Sequence, residues 1–123
     1  MNIHDLPALG AAIDEGLFAG VTTTTDGHHH AVVLLPIKPE KPMTWKRAMN
    51  WAEKAGGELP TRPISALLFA NLNDQLDPEW HWCSEQFDGS CAWYQSFGYG
   101  GQGYDRKRFE GRARAVRLIP LTA

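Results

Sequence analysis

The hydrophobic period changes twice along this chain, and the order of those changes is the tightest limit on its fold. Residues 21–25 and 28–35 are β-prone runs on either side of Asp26-Gly27, a pair that favours a tight hairpin with positive φ at its centre. Pro36, Pro39 and Pro42 then end the second run and stiffen the connector. From Thr44 the period becomes helical. Trp45, Ala48, Met49 and Ala52 stand at i, i+3, i+4 and i+7, with Thr44 as the N-cap and Gly56-Gly57 as the stop. After Leu59-Pro60-Thr61, the residues Ile64, Leu67, Leu68 and Leu72 mark a second helical face capped by Thr61. Residues 80–85, 92–97 and 113–121 read as strands separated by loops rich in Gly, Asp and Ser. In the last of them Arg114, Val116 and Leu118 alternate with Ala115, Arg117 and Ile119. One more short helix is expected over residues 6–19, where Leu6, Leu9, Ile13 and Leu17 keep a helical spacing against the weakening effect of Gly10 and Gly16. Strands, two helices, then strands define an α+β fold in which two helices pack on antiparallel strands.

A chain of 123 residues suits one domain, with residues 1–42 as an N-terminal strand and hairpin region integrated into a core formed by 43–123. An apolar fraction of 43%, with five Trp, five Phe and three Tyr, is enough to fill an interior without staples. The formal charge of −2 creates no general attraction to nucleic acid or anionic lipid. Six of the twelve Lys and Arg nevertheless fall at Arg106, Lys107, Arg108, Arg112, Arg114 and Arg117, which predicts either a local positive field or ordinary solvated positions. No basic start with an apolar run and no stretch of about 20 apolar residues is present, so a cytoplasmic protein without a membrane segment is expected. In that compartment Cys83 and Cys91 would stay reduced.

The segments found above also match a known pattern in order. Met43-Thr44-Trp45 with Ala48-Met49, Gly57-Glu58-Leu59-Pro60-Thr61, Trp82-Cys83-Ser84-Glu85, Ala92-Trp93-Tyr94 with Phe97, and Ala115-Val116-Arg117 together resemble the Lcl C-terminal domain family over about residues 43–120. The resemblance implies a C-type-lectin-like fold, a ligand surface near the strands after the second helix, and a phage or prophage setting, virion-associated or cytoplasmic. It implies framework roles for Trp45, Leu59, Trp82 and Trp93, with the aromatics as buried anchors. The family often has Cys where this chain has Ala52 and Leu118, so the disulfide that such a pair would form is absent.

Each chemical motif has a competing structural explanation. The calcium-ligand motifs of sugar-binding C-type lectins are missing, and Glu85, Asp88 and Asp105 are too scattered to claim a hard oxygen-rich site. His28 and His30 share a face at i, i+2, but a specific metal site needs further ligands, and only His4 and His81 remain among the histidines. Formylglycine-generating enzymes share the fold and use a cysteine pair. Here Cys83, between Trp82 and Ser84, reads as a buried apolar residue. Residues 98–103 fit the spacing G-x-G-x-x-G, but the helix that would complete a dinucleotide loop does not follow. No catalytic constellation and no cofactor is expected.

The same segment has the composition of a recognition loop, since Tyr supplies rigid amphipathic area while Gly and Ser let the backbone adapt. Tyr94, Gln95, Tyr99, Gln102, Tyr104, Asp105, Arg106 and Arg108 are the candidate contact residues. The expectation is a non-enzymatic module that recognises a protein or glycan through residues 85–108 without calcium. The alternative is a small intracellular inhibitor or accessory protein that binds a host protein or nucleic-acid complex through the basic 106–117 stretch.

Overall fold

The computed structural model describes residues 1–122, and the run from Ala31 to Leu35 explains how they are layered, because all five residues are buried. Such a run needs cover on both faces of its strand. The strand is β3 (His29–Leu34), and it lies between β2 (Gly16–Thr23) and β7 (Val116–Pro120) in an antiparallel sheet of order β1-β2-β3-β7, with β1 at Ala12–Ile13. Ala31, Val33 and Leu35 join the cluster of α1 (Trp45–Lys54), through Trp45, Ala48 and Ala52. Val32 and Leu34 join the cluster of α2 (Arg62–Leu72), through Ile64, Leu68 and Leu72. Each fully buried Val or Leu stabilises by about 1.5–3 kcal/mol, so this sheet with its two helices is the main apolar investment of the chain.

A second antiparallel sheet follows the helices: β4 (Trp80–Gln86), β5 (Cys91–Ser96) and β6 (Gln102–Arg106), in that order. The protein is thus α+β, with two helices and antiparallel sheets. The chain ends meet where Asn2 bridges Thr122 and the Ile3 amide donates to the Thr122 carbonyl at 2.8 Å.

Both expected helices form. Thr61 accepts from the Ile64 amide at 3.4 Å, as an N-cap should. Thr44 holds the N-cap position of α1 without a side-chain cap bond, and the Trp45 amide donates instead to the Lys107 carbonyl at 3.0 Å. The hairpin at Asp26-Gly27 also forms, although its strands end at Thr23 and resume at His29, and of the two turn residues only Gly27 has positive φ.

Three expectations are corrected. Residues 6–19 are not a helix. They contain β1, a turn at Asp14-Glu15 and the start of β2, with a short 3-10 turn at Ile3–Asp5 before them. Gly10 and Gly16 each cost a helix about 1 kcal/mol, and Gly16 serves the sheet, since a Cβ there would lie 2.2 Å from the Leu34 carbonyl oxygen. Pairing with β3 overrides a weak helical spacing. The last strand begins at Val116 rather than 113, because the buried Arg114 leaves the ladder to donate to the carbonyls of Gln75 (2.7 Å) and Leu35 (3.1 Å). Residues 102–106, expected as loop, form β6.

Two indoles fasten the second sheet to the start of α1. The Trp45 Nε1 donates to the Cys83 carbonyl at 3.0 Å, and the Trp82 Nε1 donates to the Met43 carbonyl at 2.9 Å. Trp82 is fully buried and meets Trp80 edge-on at 4.9 Å. In urea melts Trp82→Ala is expected to lose about 3–5 kcal/mol. Trp82→Phe is expected to lose about 1–3 kcal/mol, through the indole bond lost from the Met43 carbonyl, which keeps its bond from the Gly111 amide, and through the space left by the smaller ring. A Trp82→Phe protein as stable as the parent would show that the Met43 bond contributes nothing.

Candidate binding site

Strand alternation places the candidate residues of the second sheet. Residues opposite one another across an antiparallel pair share a face, and neighbours along a strand do not. Trp93 faces Tyr104, Gln95 faces Gln102 and Cys91 faces Arg106, so these six lie on one side of β5 and β6. Tyr94 faces Gly103 and Ala92 faces Asp105, so Tyr94 and Asp105 lie on the other. The candidate residues therefore form two surfaces back to back. With residues 102–106 as strand, period two assigns each residue its face; the three neighbouring glycines give the segment the composition of a loop.

On the first surface, Phe87 and Tyr104 stack face to face at 3.7 Å and 5°, while Trp93 meets both edge-on at 5.7 and 5.5 Å. Phe87 is 46% exposed and Tyr104 50%. The Arg62 guanidinium, from the first turn of α2, lies 3.5 Å from the centroid of a Trp93 ring. Trp93 is only half-buried and belongs to neither core cluster, which corrects its expected role as a buried anchor. Trp45 and Trp82 do fill that role. Arg62 and Phe87 were not singled out from sequence. Arg62 sits beside a helix cap, which hides its reach toward the sheet.

Beside this array is a cleft of about 520 Å³ whose walls include Arg62, Glu85, Gln95 and Gln102. Its side chains are held by one another. Glu85 accepts from the Arg62 amide through both carboxylate oxygens (2.8 and 3.0 Å), so a carboxylate already occupies the positive end of α2. Arg62 Nε donates to Gln102 Oε1 at 3.0 Å, and Gln102 Nε2 donates to Gln95 Oε1 at 2.8 Å and to the Arg62 carbonyl at 2.7 Å. Gln95 is 1% exposed and donates onward to the Gly100 carbonyl at 2.7 Å. Gln95, expected as a contact residue, is instead an internal tie between the strand and the Gly98–Gly101 turn.

On the opposite surface Trp80, Tyr94 and Tyr99 line a cleft of about 380 Å³ together with Glu79 and Asp105. Tyr99 projects from the turn almost wholly into solvent, at 97% exposure. Glycine makes the two ring walls possible. A Cβ at Gly103 would lie 2.8 Å from the Tyr94 hydroxyl oxygen, and one at Gly111 would lie 2.4 Å from the Trp80 ring.

The basic stretch does not form one positive face. Arg112 pairs with Glu79 at 2.9 Å, Arg117 with Asp14 at 2.8 Å, and Arg114 is buried, while Lys107 donates to Gln86 and to the Gly89 carbonyl. Arg106 and Arg108 remain exposed. His28 pairs with Asp26 at the hairpin tip and His29 meets Thr23. Among the described residues no three His, Cys, Asp or Glu side chains converge as a metal site would require.

Cys83 is buried against the Ser65 hydroxyl, 3.3 Å away, and burial pushes its thiol up to about 12. A thiol held up in this way is disfavoured as a thiolate, the form that reacts as a nucleophile. Cys91, half-buried in β5, is also a free thiol. No model of a known protein family matches this chain, and no curated protein matches it.

Two outcomes follow from this chemistry. In the native protein a small alkylating reagent should modify Cys91 well before Cys83, and unfolding should equalise them. Equal native rates, read by peptide mass spectrometry, would mean that the Cys83 pocket opens readily. His81, packed edge-on against Phe97 at 4.9 Å, is held down to about 4 from its usual 6.5, chiefly by burial. The unfolded chain therefore takes up a proton that the folded chain refuses between pH 6.5 and 4. Stability present above pH 6.5 should fall by about 3 kcal/mol as pH drops through that window, at about 1.4 kcal/mol per unit. Denaturation of the parent against His81→Gln across that range checks this, and identical pH dependence would refute it.

Proposed function

We propose that this protein is a non-enzymatic binding module with a C-type-lectin-like fold, and that it recognises a protein or glycan ligand through the outer surface of β5 and β6 without calcium. The fold reading is supported by the pairing of strands from both ends of the chain, with two helices and a second three-stranded sheet between them. The observation that carries the binding reading is the aromatic array of Phe87, Trp93 and Tyr104 beside Arg62. Large rings left half in water forgo the stabilisation of a core, and clustered exposed apolar surface marks interaction sites. Trp, Tyr and Arg are also the residue types that dominate binding energy at interfaces. The internal hydrogen bonds of Gln95, Gln102 and Glu85 hold this surface in place, with the Glu85 carboxylate set against the first turn of α2.

Arrays of glycans and of purified proteins, probed with and without a calcium chelator, test the proposal. The parent should give specific hits that survive chelation. The Phe87→Ala, Tyr104→Ala double variant should melt close to the parent and bind the same hits about tenfold or more weakly. Hits that need calcium, or that the double variant keeps at full strength, would overturn it.

A further inference from the structure

The cleft on the other side of the sheet has a different character from the proposed recognition surface. Its two fixed walls, Trp80 and Tyr94, have ring centroids 5.2 Å apart and an interplanar angle of 60°. Rings at that angle make a corner rather than a platform. Both are fixed from behind, Trp80 by Trp82 and Gly111, and Tyr94 by Gly103. Tyr99 stands at the mouth with its ring in solvent, and its amide donates to the Ser96 hydroxyl at 3.1 Å.

The two acids at this cleft differ in their partners. Glu79 is engaged by Arg112 Nε at 2.9 Å, so its charge is largely answered. Asp105 accepts from the Arg106 amide at 2.8 Å, but among the described residues no Lys, Arg or His lies within ion-pair distance of it. The cleft therefore combines the negative faces of aromatic rings with one carboxylate whose charge has no partner. Both features attract a cation. A hard metal ion is a poor match, because it requires six or more oxygen ligands and this cleft presents ring carbons over much of its wall. A neutral sugar stacks best on a flat exposed ring and gains nothing from the unpaired charge.

We propose that this cleft binds a compact organic cation, a quaternary or methylated ammonium group, with Trp80, Tyr94 and Tyr99 as the cage and Asp105 as its counter-charge. The site is independent of the Phe87–Tyr104 surface, from which it is separated by the thickness of the sheet.

Tetramethylammonium and choline, titrated into labelled protein while the indole N–H signal of Trp80 is followed by NMR, provide the test. Saturable shifts are expected with both cations, and none with methyl glucoside at the same concentrations. Asp105→Asn keeps a side-chain oxygen for the Arg106 amide and should weaken binding about tenfold, as should Tyr94→Leu, with the fold of each verified by its spectrum. The Phe87→Ala, Tyr104→Ala variant should bind the cations like the parent, which separates this site from the proposed recognition surface. An absence of saturation, an equal response to methyl glucoside, or unchanged affinity in a folded Asp105→Asn protein would overturn the proposal.

Discussion

The reciprocal hydrogen bonds of Trp45 and Trp82 connect the two halves of this molecule. One indole leaves the helix for the carbonyl of Cys83, the other leaves the strand for the carbonyl of Met43 just before the helix. Each bond satisfies an indole N–H that would cost about 1–3 kcal/mol if buried without a partner. Their second effect is geometric. β4 is held against the beginning of α1, and β5 and β6 take their positions from β4. The aromatic array, the polar lattice and the acidic cleft are all built on strands positioned in this way.

Much of the architecture was legible because it depends on local rules that tertiary structure reinforces. The helical faces of α1 and α2 formed as their spacing implied, and the β-prone run at 28–35 became a strand, which the fold covers on both sides. Two of the failures share a cause, which is glycine. At Gly10 and Gly16 a helical spacing persisted in a segment that pairs as a hairpin, and the abundant glycine of 98–103 concealed the start of β6 at Gln102. Glycine in a sequence signals backbone freedom, but Gly16, Gly103 and Gly111 serve as places where a side chain would collide with a carbonyl or a ring. That use depends on what lies opposite in space, and the local sequence does not contain it.

The candidate site was legible in composition but not in geometry. Tyr94, Tyr99, Gln102, Tyr104 and Asp105 do cluster in the second sheet, yet they divide between two surfaces, and Gln95 turned inward. Arg62, Phe87 and Trp80 complete those surfaces from segments that seemed to serve capping or packing. The basic run illustrates the reverse case. Three of its six charges are committed to Glu79, to Asp14 and to main-chain carbonyls, so a field that looks continuous along the chain is dispersed in the fold.

The polar lattice from Glu85 through Arg62 and Gln102 to Gln95 and Gly100 has a consequence for affinity. Long side chains such as Arg and Gln normally forfeit rotational freedom when a ligand arrives, at about 0.5–1.5 kcal/mol for each one immobilised. Here Arg62, Gln95 and Gln102 surrendered that freedom during folding, so a partner landing beside Trp93 meets a surface already ordered. Tyr99 has made no such sacrifice, since its ring hangs in water at the tip of a turn. The two sides of one thin sheet should therefore differ in the entropy of association: one side resembles a set mould, while the other keeps a loose ring that must settle before its cleft is complete.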